Sequence, residues 1–140
     1  MNKILSEKAY QRFITDFLRD NNGYVVRTDE NFDRYYAIDR EMLFKFLEDT
    51  QPEAMATLRK TYKANTEDTI VNFINNKILE TSLIEVLKSE HLEISNTPIR
   101  LMYTKPATSI NKELMALYEK NIFSAMEEVW ISDKERIDVV

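Results

Sequence analysis

The chain has 140 residues, a formal net charge of −5 and 44% hydrophobic residues, a balance typical of one compact globular domain. It has no cysteine, one histidine and one glycine. These counts exclude disulfides, cysteine-liganded zinc, iron–sulfur clusters, histidine-rich metal sites and glycine-rich phosphate loops. The acidic balance argues against a free-standing nucleic-acid binder, since such proteins are usually basic.

The first residues, MNKILSEKAYQRF, contain an apolar run of two residues and early acids, which is not the pattern of a signal peptide. No stretch approaches the ~18 consecutive apolar residues of a membrane-spanning helix. We therefore expect a cytoplasmic protein without a membrane partner.

The first predicted element is an amphipathic helix. Its apolar residues follow helical spacing, and they are Tyr10, Phe13, Ile14, Phe17 and Leu18. Gly23 is expected to end the helix, because glycine readily takes the left-handed conformation of a C-terminal cap. A short strand is predicted over 24–26.

Four further helices are predicted up to residue 88, beginning after Asp39, near Thr50, from about Thr66 and after Ser82. Two of these starts have the spacing of a capping box, in which a Ser or Thr precedes a Glu by three residues. The inward-facing residues of the four helices are Leu43, Phe44 and Leu47; Met55, Leu58 and Tyr62; Ile70, Phe73, Ile74 and Ile78; and Leu83, Ile84 and Leu87.

After His91 the pattern changes to β-branched residues in loose alternation. One or two strands are predicted within 92–103, with Pro98 as a break. Asn111 is expected to cap a helix, and strands are predicted over 122–131 and 136–140 with a polar turn between them.

These elements predict a mixed α+β fold, with a helix-rich first two thirds followed by the start of an α/β sheet. We expect one domain over 1–140, mainly helical over 1–90, with its first strands and one helix over 91–140. The chain ends inside the strand formers of 136–140, whereas domain termini usually lie at the surface. The domain is therefore expected to be incomplete.

Asp138 is the main chemical oddity of the sequence. It lies between Ile137 and Val139 in a predicted strand, where Asp is depleted and a buried carboxylate is costly without partners. From these residues alone, a solvated Asp near a frayed terminus is the better interpretation.

Several long blocks, taken in order, resemble the N-terminal region of the R subunit of type I restriction endonucleases, the motor and nuclease subunit. The blocks are YVVRTDENFDRYYAIDREMLFKFLEDTQPEAM (24–55), SLIEVLK (82–88), LEISN (92–96), LMYTKPATSINKEL (101–114), YEKNIFSAMEEVW (118–130) and ERIDVV (135–140). They cover nearly the whole chain.

This resemblance implies a restriction-endonuclease-like nuclease of the PD-(D/E)xK type, with Asp138 as the catalytic, metal-binding Asp. It also implies Mg²⁺ and ATP as cofactors of the complete subunit, and DNA and the modification and specificity subunits as partners. The family's ExK pair, which would follow on the next strand, and the ATP-driven motor are absent from these 140 residues. We therefore expect this fragment to bind no cofactor and to be inactive alone, and to self-associate through its C-terminal strand.

Weaker candidates accompany Asp138. Glu127 or Glu128 is a second possible metal ligand from the preceding strand, and Glu113 is weaker still. For the remaining charged residues a solvated surface is the better interpretation, and they are the acidic group Asp29, Glu30 and Asp33, the lone His91, and Lys105, Lys112 and Lys120.

Two other function classes remain open. The chain could be a non-catalytic interaction module that docks on the motor or modification subunits. It could also be an unrelated small helical regulator, which the block over 28–51 disfavours.

Overall fold

The computed structural model describes residues 6–108, 110–130 and 136–139. Its helices are α1 (Glu7–Asn22), α2 (Arg40–Thr50), α3 (Pro52–Tyr62), α4 (Thr66–Glu80), α5 (Leu83–Lys88) and α6 (Lys112–Glu119). Its strands are β1 (Val25–Arg27), β2 (Phe32–Asp33), β3 (Ile38–Asp39), β4 (Leu92–Ile94), β5 (Thr97–Ile99), β6 (Ser124–Trp130) and β7 (Arg136–Val139). The fold is mixed α+β, and within the described ranges no helix is long and apolar enough to cross a membrane.

The chain divides into two compact units. Unit 1 comprises 1–41 and 122–140, and unit 2 comprises 42–121. Unit 1 therefore contains both ends of the sequence, whereas unit 2 is one continuous segment.

A three-stranded sheet of order β1-β6-β7 forms the centre of unit 1. β1 pairs with β6 in parallel, with Val25 beside Ser124, and β7 pairs with β6 in antiparallel orientation. Helix α1 packs on this sheet and ends at Gly23, whose φ of 70° is the left-handed conformation expected from the sequence. A small hairpin of β2 and β3 lies between β1 and α2 along the chain.

Unit 2 has an apolar core beneath its helices and the β4–β5 hairpin. Its buried side chains are Phe44, Phe46, Leu47, Met55, Leu58, Ile70, Val71, Ile74, Val86, Leu92, Ile94 and Ile99. Pro98 does not break the second strand but lies within β5 of this isolated hairpin, where its missing N–H disrupts no wider sheet.

The helix starts are confirmed at two of three predicted caps. The side chains of Ser82 and Asn111 accept hydrogen bonds from the backbone N–H groups of Glu85 and Leu114. The Thr50 cap was wrong, because Thr50 is the last residue of α2 and its hydroxyl donates to the carbonyl of Phe46. Gln51 precedes α3 instead, and its amide pairs with the backbone of Arg100 rather than capping the helix.

In α5 and α1, most of the predicted apolar residues are exposed. In α5, Val86 is buried while Leu83 and Ile84 are exposed. In α1, Tyr10, Phe13 and Phe17 are 61%, 65% and 52% exposed, although they belong to the predicted apolar stripe. The sequence pattern identified both helices but not the faces that pack.

Candidate functional site

The predicted metal-binding residue lies on an edge strand. Asp138 is in β7, and β7 pairs only with β6 among the described strands. The cross-strand pairs Glu127–Val139 and Val129–Ile137 bracket position 128 on β6 and position 138 on β7. Of the two predicted glutamates, Glu128 is therefore the one whose backbone lies across from Asp138. The side chains of Glu128 and Asp138 lie outside the described part of the structure.

The carboxylate of Glu127 faces α1 and is held there by two side chains. Arg12 Nε donates to Glu127 Oε2 at 3.1 Å, and Thr15 Oγ1 donates to Glu127 Oε1 at 3.3 Å. Thr15 is fully buried, and the Glu127 side chain is 18% exposed. A carboxylate removed from water in this way needs such charge-assisted bonds, since an unpaired buried charge is costly. Glu127 thus serves to attach β6 to α1.

A second ionic contact joins α1 to β7. Arg136 Nη2 lies 3.0 Å from Glu7 Oε1, which also accepts a bond of 3.3 Å from Gln11 Nε2. Gln11 is buried, and its Oε1 atom has no hydrogen-bond partner among the described residues. The side of α1 that packs on the sheet is therefore largely polar, and it fixes the helix over the strand pair that carries positions 128 and 138.

An ion-pair cluster beside β1 was not predicted from the sequence. Arg27 Nε lies 2.8 Å from Asp39 Oδ2, and Arg27 Nη1 lies 3.3 Å from Glu41 Oε1. The Arg27 and Asp39 side chains are 14% and 11% exposed. The hydrogen bond that Arg27 donates to the Asp39 carboxylate is the main cause that raises the pKa of Arg27 above its ordinary value, against the opposing effect of burial. Arg27 and Asp39 are twelve positions apart in the sequence, and the β2–β3 hairpin brings them together. No local sequence pattern therefore predicts this ion pair.

Asp33 stabilises the turn between β2 and β3. Its Oδ1 accepts hydrogen bonds from the backbone N–H groups of Tyr35 and Tyr36, and its Oδ2 lies 2.8 Å from Arg40 Nε. Desolvation favours a higher pKa for the Asp33 carboxyl, but the bonds from Arg40 and the two N–H groups outweigh it, so this pKa lies below its usual value. Asp33 is therefore a structural residue, whereas Asp29 and Glu30 of the same acidic group are exposed in a short 3₁₀ turn.

The other candidate residues belong to unit 2, whereas Asp138 belongs to unit 1. Lys105, Lys112, Glu113 and His91 are exposed, as is Lys120, whose Nζ donates to the carbonyl of Asp49. His91 lines an open surface depression of mixed charge together with residues such as Lys77, Glu80 and Lys88. Within the described ranges, no three acidic or histidine side chains converge as metal ligands.

Comparisons with protein-family models, with curated proteins and with solved structures gave no match.

Proposed function

We propose that the chain is the N-terminal part of the R subunit of a type I restriction endonuclease, and that it contributes to ATP-dependent cleavage of foreign DNA. The main support is the position of Asp138, within the ERIDVV block and on an edge strand of an α/β sheet. An edge strand leaves room for a further strand, which is where the Glu and Lys of the PD-(D/E)xK motif would be added.

Asp138 fits the role of a Mg²⁺ ligand in chemical type, because Mg²⁺ prefers carboxylate oxygens together with water and phosphate oxygens. Glu128 is the second candidate ligand, since the strand register sets its backbone opposite Asp138. Glu127 is a weaker candidate, because Arg12 and Thr15 already occupy its carboxylate. When bound, the metal would supply charge stabilisation and an activated water for phosphodiester hydrolysis.

The residues around this pair have a positioning role in the proposal. The Arg12–Glu127 and Glu7–Arg136 contacts attach one helix to both strands of the pair. Such cross-element contacts reduce the freedom of β7 relative to β6, and a metal site needs its ligands held within a fraction of an ångström. The acidic chain itself is a poor DNA binder in this proposal, so the grip on DNA comes from the motor and the partner subunits.

The alternative is a non-catalytic module that docks on the motor or modification subunits. The exposed aromatic residues of α1 favour it, because exposed Tyr and Phe side chains that cluster on one helix are typical of protein interfaces. A contribution to DNA cleavage and docking on other subunits are compatible in a multisubunit enzyme. The experiments below distinguish them.

The decisive test uses the gene and then the enzyme. The proposal expects the coding sequence after Val140 to continue through a short turn into a strand with Glu-x-Lys. In the subunit encoded by that gene, Asp138→Ala should abolish Mg²⁺-dependent DNA cleavage while ATP hydrolysis continues. A coding sequence without this motif, or an Asp138→Ala subunit that cleaves normally, would refute the nuclease proposal and leave the docking module.

The isolated chain provides a second test. Asp138 and Glu128 can supply carboxylates, but these 140 residues do not include the Lys of the motif. Purified chain incubated with Mg²⁺ should therefore leave supercoiled plasmid intact. Nicking that disappears in Asp138→Ala would show that the described strands already form a complete site.

A further inference from the structure

Helix α6 is loosely packed against the rest of unit 2. None of its eight residues is buried, and Leu114 is 46% exposed. Among the described residues, the side-chain hydrogen bonds that join 104–121 to the rest of the unit involve Lys120 and Asn121, at the end of the segment. An element with little buried apolar surface opens at a lower cost than the core, so α6 is the part of unit 2 that should open first.

The side chain of Asn121 closes this segment into a loop. Its Nδ2 donates to the carbonyl oxygen of Tyr103 at 2.6 Å, and its Oδ1 accepts from the N–H of Tyr103 at 3.0 Å. A side-chain amide offers both a donor and an acceptor, so it pairs with a backbone residue as a neighbouring strand would. We call these two hydrogen bonds the Asn121 clip. Lys120 adds one bond, from its Nζ to the carbonyl of Asp49.

Tyr103 is the fixed side of the clip. The centroid of its ring lies 6.0 Å from that of Phe46, a buried residue of the unit 2 core, and 5.0 Å from the guanidinium carbon of Arg100. The backbone N–H and C=O of Arg100 are paired with the side-chain amide of Gln51 at 2.7 and 2.8 Å. When the clip breaks, Tyr103 therefore stays with the core and Asn121 moves away.

The clip lies where the chain passes from unit 2 into unit 1. Asn121 is the last residue of unit 2, and unit 1 resumes at Ile122. Phe123 is already attached to unit 1, because its carbonyl accepts from the N–H of Val25 at 2.8 Å. With the clip closed, Ile122 alone separates the two points of attachment. The other passage between the units, at 41–42, lies within helix α2.

We propose that the Asn121 clip is a releasable strap that sets the length of the connection between the two units. In the closed state the connection is residue 122. In the open state α6 leaves unit 2 and the connection becomes 104–122, which spans up to about 60 Å when fully extended. Release and loss of the helix occur together, since an isolated helix shorter than about 12–15 residues is marginal in water. This inference does not depend on the nuclease proposal.

The size of the expected effect follows from the two hydrogen bonds. A neutral hydrogen bond contributes about two- to tenfold to an equilibrium constant in favour of the folded state, so removing both should raise the open fraction roughly 4- to 100-fold. The core of unit 2 should be unaffected, because the buried Met55, Leu58 and Ile74 belong to α3 and α4 and not to the strap.

Amide hydrogen exchange of the 140-residue chain, followed by NMR, measures this opening. After correction for intrinsic rates, residues 115–119 should share one opening equilibrium and exchange at least about a hundredfold faster than the slowest amides of α3 and α4. Low concentrations of urea should hardly change this opening, because it exposes little surface. Exchange that quickens progressively towards Lys112 would show fraying from the other end of α6 and would overturn the proposal.

Asn121→Ala tests the clip itself. This variant should raise exchange over 115–119 at least about fourfold and leave α3 and α4 unchanged. Asn76→Ala is the matched control, since Asn76 is an exposed asparagine of α4, and it should leave the exchange of α6 unchanged. An α6 that does not respond to Asn121→Ala, or that exchanges together with the unit 2 core, would refute the strap.

If Asn121→Ala fails to fold, Asn121→Asp replaces it with a side chain of the same shape. The carboxylate still accepts from the N–H of Tyr103 but has no proton to donate to the carbonyl of Tyr103. One of the two bonds of the clip is therefore lost, and exchange over 115–119 should again rise. Exchange as slow as in the unmodified chain would contradict a role for the clip.

Proteolysis gives a separate readout of the open connection. Chymotrypsin cleavage after Tyr118 requires α6 to be open, and cleavage of an open form follows its population when opening is fast. In Asn121→Ala, cleavage after Tyr118 should accelerate by the same factor as exchange over 115–119, whereas cleavage after the buried Phe46 should not change. Acceleration at both positions would mean that the whole of unit 2 is destabilised and would overturn the strap.

Discussion

The two compact units differ in what their helices bury. In unit 2, α3 and α4 bury Met55, Leu58, Ile70 and Ile74, which are residues of the predicted apolar stripes. In unit 1, α1 buries Gln11 and Thr15 and leaves most of its aromatic stripe exposed. A helix with a single apolar surface to cover buries its apolar side, as in unit 2. A helix that attaches to its sheet through polar contacts can leave its apolar side exposed, as in unit 1.

The largest expected effect is the difference in stability loss between truncating a buried apolar residue in unit 2 and an exposed one in unit 1. Leu58→Ala in unit 2 should lower the free energy of unfolding by about 2–5 kcal/mol, because Leu58 is fully buried and truncation leaves a cavity. Phe13→Ala in unit 1 should change it by less than about 0.5 kcal/mol in dilute monomer, although a larger side chain is removed. Urea unfolding of both variants measures the difference. An equal loss in the two variants would show that Phe13 is packed within the monomer.

A second effect tests whether polar contacts stabilise unit 1. Asp33→Ala should lower the free energy of unfolding by about 1–3 kcal/mol, because it removes the partner of Arg40 and the acceptor of two backbone N–H groups. Asp29→Ala is the matched control, since Asp29 is an exposed acid four residues earlier, and its effect should stay within about 0.5 kcal/mol. Similar losses in both variants would mean that the turn does not depend on the Asp33 carboxylate.

The smallest expected effect is the pH dependence of the stability that Asp33 contributes. The pKa of Asp33 is lowered on folding, so its charged form stabilises the folded state above the ordinary Asp pKa of about 3.9. This contribution is lost as the pH falls through the lower folded value. The destabilisation by Asp33→Asn should therefore be largest near neutral pH and shrink towards zero in strong acid. Unfolding measured at several pH values checks this, and a destabilisation that is constant with pH would contradict it.

The sequence predicted local features better than distant contacts. Helical periodicity, Gly23 after α1 and the caps Ser82 and Asn111 are confirmed, because each depends on residues within one or two turns. The short strand near Val25 was also predicted. Its pairing with Ser124 was not, since nothing in either segment specifies a partner so far along the chain.

For the candidate site, too, the sequence predicted the local strand but not the contacts between distant segments. A strand over 136–140 was expected, and the structure has β7 over Arg136–Val139, with Asp138 in it. The choice between Glu127 and Glu128 needed the register of β6 and β7, which periodicity does not give. The polar face of α1 was missed because Gln11 and Thr15 interrupt no hydrophobic pattern, and the assignment of Asp138 as a metal ligand stays a prediction.

The parallel pairing of β1 with β6 also determines the order in which the protein can fold during its synthesis. Unit 2 is one continuous segment and can form its core as soon as residues 42–121 have left the ribosome. Unit 1 must wait for β6, which follows β1 by about a hundred residues, or roughly 5–20 s at about 5–20 residues per second. During that interval the nascent α1 and β1 have no sheet to join, and the early formation of unit 2 shortens the loop that their pairing must close.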